Sequence, residues 1–164
     1  MMQIITPVDV KEIEKLQVRD HLLISGEIFT GRDAALPRLV SSLKNGEKFL
    51  NLQGSVMMHT AVSDAGIAPT SSNKVAIEKS IQQLAAQGVL IHLGKGALSR
   101  ETIQALGKSK AIYAVTPPAA ALLNSKVKSK KIVAFPEEGM EAIHQLEVVR
   151  IPAIVAIAQG KSIY

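Results

Sequence analysis

HLLISGEIFTGRDAALPRLVSSLKNG, residues 21–46, holds the stretch that decides the fold. Its first nine residues are apolar and β-branched with Gly26 inside them, which predicts a strand carrying a bulge or bend. Leu36, Leu39, Val40 and Leu43 then recur at helical spacing, and Asn45-Gly46 supplies a stop. Pro37 must lie in the first turn of that helix, because an interior proline would break it. Arg32 and Asp33 therefore stand where a strand hands over to a helix. Asp33 reads as the helix cap or as the partner that orients Arg32. Arg32 reads either as an exposed member of that pair or as a planar guanidinium gripping a carboxylate through two parallel hydrogen bonds.

The same alternation continues outward. Residues 55–59 form a second strand pattern. After residues 69–73 comes a helix with Ile77, Ile81, Leu84 and Ala85 on one face and Gly88 as its stop; Ser71, Ser72 and Asn73 are each able to cap it. Residues 89–91 read as a buried strand leading into Gly94-Lys95-Gly96. Ser99 caps a short helix with Ile103 and Leu106 inward and Gly107 beyond its end. A strand over 111–115, a helical run over 119–123 behind Pro117-Pro118, and a strand over 132–135 follow. Lys126, Lys128, Lys130 and Lys131 read as a solvated turn. Two apolar runs around Arg150-Ile151-Pro152, within 142–157, predict a bent strand pair. The first sixteen residues read equally as an arm lying on a partner or as a strand. Strands alternating with short helices predict one α/β domain over residues 1–164, with a largely parallel central sheet flanked by helices. The C-terminal strands would form a second sheet.

Composition narrows the function. A chain of 164 residues buries roughly 70% of its unfolded surface. At 47% hydrophobic and 3% aromatic, its core must be built from Ile, Val, Leu and Ala. The absence of cysteine excludes disulfides and any iron–sulfur or zinc-thiolate site carried by this chain alone. A net charge of +5 admits an acidic ligand or a nucleic acid. The cations are dispersed, however, and three Phe and two Tyr leave little to stack on bases, which argues against nucleic acid. No apolar run reaches the ~18 residues of a membrane span, and the N-terminus does not read as a signal peptide, so a cytoplasmic protein is expected. The four histidines have no metal-ligand spacing and read as packed or surface residues; no metal ligands are expected. Neither a G-x-x-x-x-G-K-[ST] loop nor a G-x-S-x-G elbow is present.

What remains is a set of cations and hydroxyls at turns. Thr70-Ser71-Ser72 reads as helix caps or as ligand contacts. Lys74, in the first turn of the helix that follows, opposes the helix dipole, which points to an anionic ligand at that end. Lys95 lies between two glycines, where backbone can approach a ligand closely. Arg32, Lys74, Lys95 and a hydroxyl on separate loops suit a small molecule with two carboxylates.

In order, these segments resemble the β subunit, or C-terminal domain, of class I fumarate hydratases and the related L-tartrate dehydratases. That family's G-x-x-[YF]-T-[AG]-R-D-A-A is similar to Gly26-Glu27-Ile28-Phe29-Thr30-Gly31-Arg32-Asp33-Ala34-Ala35. Its G-P-T-T-S-x-R-M is similar to Ala68-Pro69-Thr70-Ser71-Ser72-Asn73-Lys74-Val75, and its G-K-G to Gly94-Lys95-Gly96. The run from Glu141-Ala142-Ile143-His144 to Ile151-Pro152-Ala153-Ile154-Val155 resembles the family ending. The resemblance, from about residue 17 onward, implies a swivelling β/β/α domain and a partner α subunit holding a [4Fe-4S] cluster through its own cysteines. An open iron of that cluster would act as Lewis acid on the departing hydroxyl. It implies a hydro-lyase for C4 dicarboxylates: fumarate to malate, or alternatively tartrate or another hydroxy-dicarboxylate. A non-catalytic anion-binding relative is a further alternative. By the same resemblance Arg32, Lys74 and Lys95 would hold substrate carboxylates, Thr70 and Ser71 would also bind substrate, and Lys95 and Thr70 would be catalytic, with Thr70 transferring the proton. A homo- or hetero-oligomer is expected. The chain departs from the family pattern at Leu36, where a histidine is common, and at Lys74, which replaces arginine. Ala68, Ser71, Val75 and Pro117-Pro118 also differ, and the segment between Met58 and Pro69 is shorter.

Overall fold

A computed structural model describes residues 1–67, 73–117 and 119–164. The predicted bulged strand is β2 (His21–Gly31), and every later strand is placed with reference to it. Its alternate residues Leu22, Ile24, Ile28 and Thr30 are buried, the period-2 burial of a strand with one covered face. One edge of β2 pairs in parallel with β1 (Met2–Ile5) and, further along, with β3 (Ser55–His59). From β3 the sheet continues in parallel through β6 (Val89–Gly94) to β7 (Ile112–Val115). The other edge of β2 pairs antiparallel with β9 (Ile143–Ala158).

β9 changes the expected architecture. It spans 16 residues, long enough to serve two edges at once. Ile154 lies opposite His21 of β2 and also opposite Val115 of β7. The sheet therefore closes on itself through β2, β3, β6, β7 and β9. The expected second C-terminal sheet is instead the closing wall of the first. Among the described residues, four pairings of this sheet are parallel (β1–β2, β2–β3, β3–β6, β6–β7) and four antiparallel. The fold is mixed α/β and only partly parallel. The bend foreseen near Arg150 is present within one strand, with Arg150 at a φ of 55°.

Closure explains why β3 and β6 are buried along their whole length. Val56, Met58, Ile91, Leu93, Ile112 and Ala114 point into the closed sheet and join one apolar cluster. The intervening Met57 and Tyr113 face outward under helices. Those helices are α2 (Leu36–Lys44), α3 (Lys74–Ala86) and α4 (Arg100–Lys108). Asn73 is the cap of α3, its side-chain oxygen accepting from the Ala76 N–H at 3.1 Å. Ser99 caps α4, but Gly107 lies inside that helix rather than beyond it.

Two further segments differ from expectation. The lysine cluster is not a turn: Lys128, Lys130 and Lys131 lie on β8 (Val127–Ala134), an edge strand paired with β9. They are solvated there, and edge lysines discourage pairing with another chain. A small hairpin, β4 (Val62–Ser63) and β5 (Gly66–Ile67), carried no sequence signal. The first sixteen residues, left open between arm and strand, hold β1 and α1 (Val10–Glu14), with Ile4, Val8, Ile13 and Leu16 buried in the main core. The last strand, β10 (Lys161–Ser162), pairs with β9; α5 (Ala120–Ser125) precedes β8. Among the described residues no helix is long and apolar enough to cross a membrane.

Gly26 is where β2 slips register against β9. Its φ is 110°, and a Cβ there would stand 2.3 Å from the Thr6 Oγ1. Gly26→Ala is expected to lower unfolding free energy by roughly 1–2 kcal/mol, the scale of holding an L-residue in left-handed backbone. Urea unfolding of the two proteins checks this, and equal midpoints would refute it.

Candidate functional site

The parallel strands β2, β3, β6 and β7 end side by side: Gly31 lies opposite His59, Met58 opposite Leu93, and Gly94 opposite Val115. In α/β sheets the carboxyl ends of parallel strands are the usual place for ligands, because the loops and helix N-termini there converge. Lys95 follows β6 directly. Lys74 is the first residue of α3. Both line one cleft of about 260 Å³ together with His59, Ile77, Leu98 and Tyr113. Two cations separated by 21 positions are thus brought to one cavity.

Arg32 stands on the same rim, one strand away, and is not part of the cleft lining. Its Nη2 donates to Glu141 Oε2 at 3.3 Å, while Glu141 Oε1 accepts from the Ala34 N–H at 3.1 Å. Both side chains are about a quarter exposed. The junction is held by Glu141, from the 3-10 turn Pro136–Glu141 that precedes β9. Asp33 is not the helix cap: the cap position of α2 is Ala35, which has no side chain able to accept a hydrogen bond. Nothing local in the sequence ties Glu141 to Arg32, since they are 109 positions apart. Thr70 and Ser71 lie outside the described residues, as does Pro118.

Leu36, at the position where the resembled family has histidine, is buried at 1% exposure. A Cβ on Gly31 would lie 2.7 Å from its Cδ2 and 2.8 Å from Ile143 Cδ1. Leu36 therefore packs the strand-to-helix junction. The small glycine is what admits it.

The cleft carries polar groups that sequence reasoning passed over. His59 Nε2 and His92 Nδ1 are 3.1 Å apart, with their rings stacked at 5.4 Å between centroids. Burial pushes His59 down to about 4, and burial reinforced by the neighbouring His59 holds His92 well below its usual value. Both rings are neutral near pH 7, so one donates and the other accepts. Among the described residues His59 Nδ1 has no hydrogen-bond partner. Burial, with smaller contributions from Tyr164 and Glu78, raises the Tyr113 phenol above its ordinary value, which keeps its proton in place. The signal that could have found these residues is parity. His59 and His92 share the outward face with Met57 and Tyr113, and His92 pairs with both of those.

The donors of this chain do not fit an iron–sulfur cluster. It has no cysteine, and among the described residues no group of three or more His, Asp or Glu is placed to hold a metal.

The Fumarase C-terminus family model matches residues 2–164. The chain belongs to this family. It is similar to the aerobic class I fumarate hydratase of Escherichia coli K12, at 29% identity over 157 residues, covering 89% of the chain and 28% of that protein. It is also similar to a Methanocaldococcus jannaschii protein named as an L(+)-tartrate dehydratase subunit beta. That match has 33% identity over 170 residues, covering 94% of the chain and 86% of that protein. Fumarate hydratase 2 of Leishmania major is 25% identical over 165 residues, covering 94% of the chain and 29% of that protein. The chain thus spans little more than a quarter of the fumarate hydratases it matches. In this fumarase C-terminus chain the predicted cations divide into two groups: Lys74 and Lys95 in one cleft, Arg32 beside it.

Proposed function

We propose that this chain is the β subunit of a hydro-lyase for C4 dicarboxylates, catalysing the reversible hydration of fumarate to malate. The observation that carries the reading is the placement of Lys74 and Lys95, from separate elements, on one cleft at the carboxyl ends of the parallel strands. Removing a proton beside a carboxylate puts additional negative charge on that carboxylate in the transition state. Preorganised cations around it lower that cost. Lys95 and Lys74 hold the carboxylates, Arg32 closes the rim, Ser71 adds a hydroxyl contact, and the Thr70 hydroxyl moves the proton. A threonine hydroxyl is a poor base in water, so its role depends on those same cations stabilising its alkoxide.

The whole chain acts as one swivelling β/β/α domain in a cytoplasmic assembly with an α subunit. That partner holds the [4Fe-4S] cluster through its own cysteines, and no step of the cluster's chemistry falls to residues of this chain. Tartrate is the second substrate to weigh. The Methanocaldococcus jannaschii relative is matched over 86% of its length, and Leu36 alters a position that contacts substrate in the resembled family.

The test is reconstitution. The purified chain alone is expected to be colourless and inactive toward fumarate, malate and tartrate, and to gain turnover when combined anaerobically with an α subunit carrying an intact cluster. Appreciable turnover by the isolated chain would overturn the division of labour. Turnover of tartrate in preference to malate would select the second substrate.

A further inference from the structure

The loop that carries Lys95 is anchored at two ends. At its start, Gly94 is the last residue of β6 and pairs with Val115 in the sheet. At its finish, the Ser99 N–H donates to Glu78 Oε1 at 2.6 Å, and the Thr102 hydroxyl donates to the same oxygen at 2.7 Å. Gln82 Nε2 donates in turn to Thr102 Oγ1 at 2.9 Å, so the buried threonine is satisfied from both sides. Glu78 and Gln82 lie on successive turns of α3, and Glu78 is one turn beyond Lys74. A single carboxylate oxygen thus joins the helix bearing one cleft lysine to the loop bearing the other. Between the two anchors Leu98 packs against the apolar cluster under α3 and α4, while Gly96 sits at a φ of 81° with nothing within 4 Å of where its Cβ would be.

We infer that Glu78 is a positioning residue that sets the separation of Lys74 and Lys95 across the cleft. This rests on the reading that those two lysines take the substrate's carboxylates. A dicarboxylate has a narrow range of spacings between its charged ends, so two cations on separate elements are useful only if their distance is held. Glu78 holds it with two hydrogen bonds to an ionised acceptor, which are shorter and stronger than neutral ones. Partial burial opposes its charge, but the bonds from Ser99 and Thr102, aided by the Lys74 charge, outweigh that, and its carboxyl stays below the usual range. The anionic acceptor is therefore present throughout the neutral pH range.

Three variants of the full chain, assembled with the α subunit, test the inference. Glu78→Ala is expected to raise KM for the dicarboxylate about tenfold while moving kcat less than about threefold, the loss expected of binding geometry rather than of chemistry. Glu78→Gln keeps an oxygen that accepts both bonds, and KM should return to within about threefold of wild type. Glu78→Asp, one methylene shorter, is read in the same way should the alanine variant not fold. In the chain alone, amide exchange at Lys95 and Ser99 should accelerate about tenfold in Glu78→Ala, with Ile81 and Leu84 of α3 unchanged. An unchanged KM beside fast Ser99 exchange would overturn the inference. So would a Glu78→Gln variant as damaged as Glu78→Ala, which would assign the effect to charge beside Lys74. If the wild-type assembly turns over no dicarboxylate, the functional reading fails separately. The exchange data then decide: slow Lys95 and Ser99 amides in Glu78→Ala refute the brace.

Discussion

On the proposed hydro-lyase reading, Lys95→Ala is expected to lower kcat/KM of the chain assembled with an α subunit by about one to two orders of magnitude, and Lys74→Ala to lower it by less. A charged hydrogen bond to a carboxylate in a closed site contributes roughly 1.5–3 kcal/mol, and each 1.36 kcal/mol is a factor of ten in rate. The two lysines differ in how well each is held. Lys95 leaves a strand end that is buried and paired with β7, on a loop whose far end is bonded to α3. Lys74 begins a helix, where the dipole opposes its charge, and it shares that end with the Glu78 carboxylate four residues on. Lys74 also stands where the resembled family has arginine, so Lys74→Arg should restore two-pronged contact and retain or raise activity. Steady-state kinetics with malate and fumarate check this series. Wild-type rates in Lys95→Ala would make the cleft structural and end the hydro-lyase reading.

Acidification from pH 7 to pH 5 is expected to destabilise the isolated chain by about 2 kcal/mol through His59 alone, and by more through the His59–His92 pair. The sign follows from the direction of the shift. His59 titrates near 6.5 when unfolded and at about 4 when folded, because burial penalises its charged form. Between those values the unfolded chain binds more protons than the folded one, so stability rises with pH. The contribution is complete above pH 6.5 and is lost as pH falls toward 4. His92 shifts in the same direction, and because both imidazoles take up a proton in the unfolded chain, its contribution adds to that of His59. Replacing both rings, as in His59→Leu with His92→Leu, removes the hydrogen bond and both titrating groups together, which leaves no unpaired nitrogen. Urea unfolding at pH 7, 6 and 5 should show a steep slope in the wild type and a shallow one in the double variant. Equal slopes would show that other groups control acid stability.

Local chemistry was legible wherever one segment supplied its own answer. The face of α3 with Ile77, Ile81, Leu84 and Ala85 is buried as its spacing requires, and Asn73 caps it. Ser99 caps α4, Pro37 falls in the first turn of α2, and the register slip in β2 is at Gly26. Each rests on propensities acting over a few residues. Lys74 and Lys95 were legible as cations beside turns for the same reason.

Sequence by itself determined the strands and helices whose pattern is local, β2, β3, β6, β7 and α2 to α4, and that Arg32, Lys74 and Lys95 stand at their ends. Tertiary structure alone decided how the sheet ends, what holds Arg32, and which polar groups line the cleft. β9 closes the sheet because a 16-residue strand reaches both β2 and β7, and pairing between distant strands leaves no trace in local periodicity. Glu141 reaches Arg32 across 109 positions through the pairing of β9 with β2. His59 and His92 become a neutral, hydrogen-bonded pair because parallel neighbours in a closed sheet share one face in a dry layer, where a lone imidazolium could not be held.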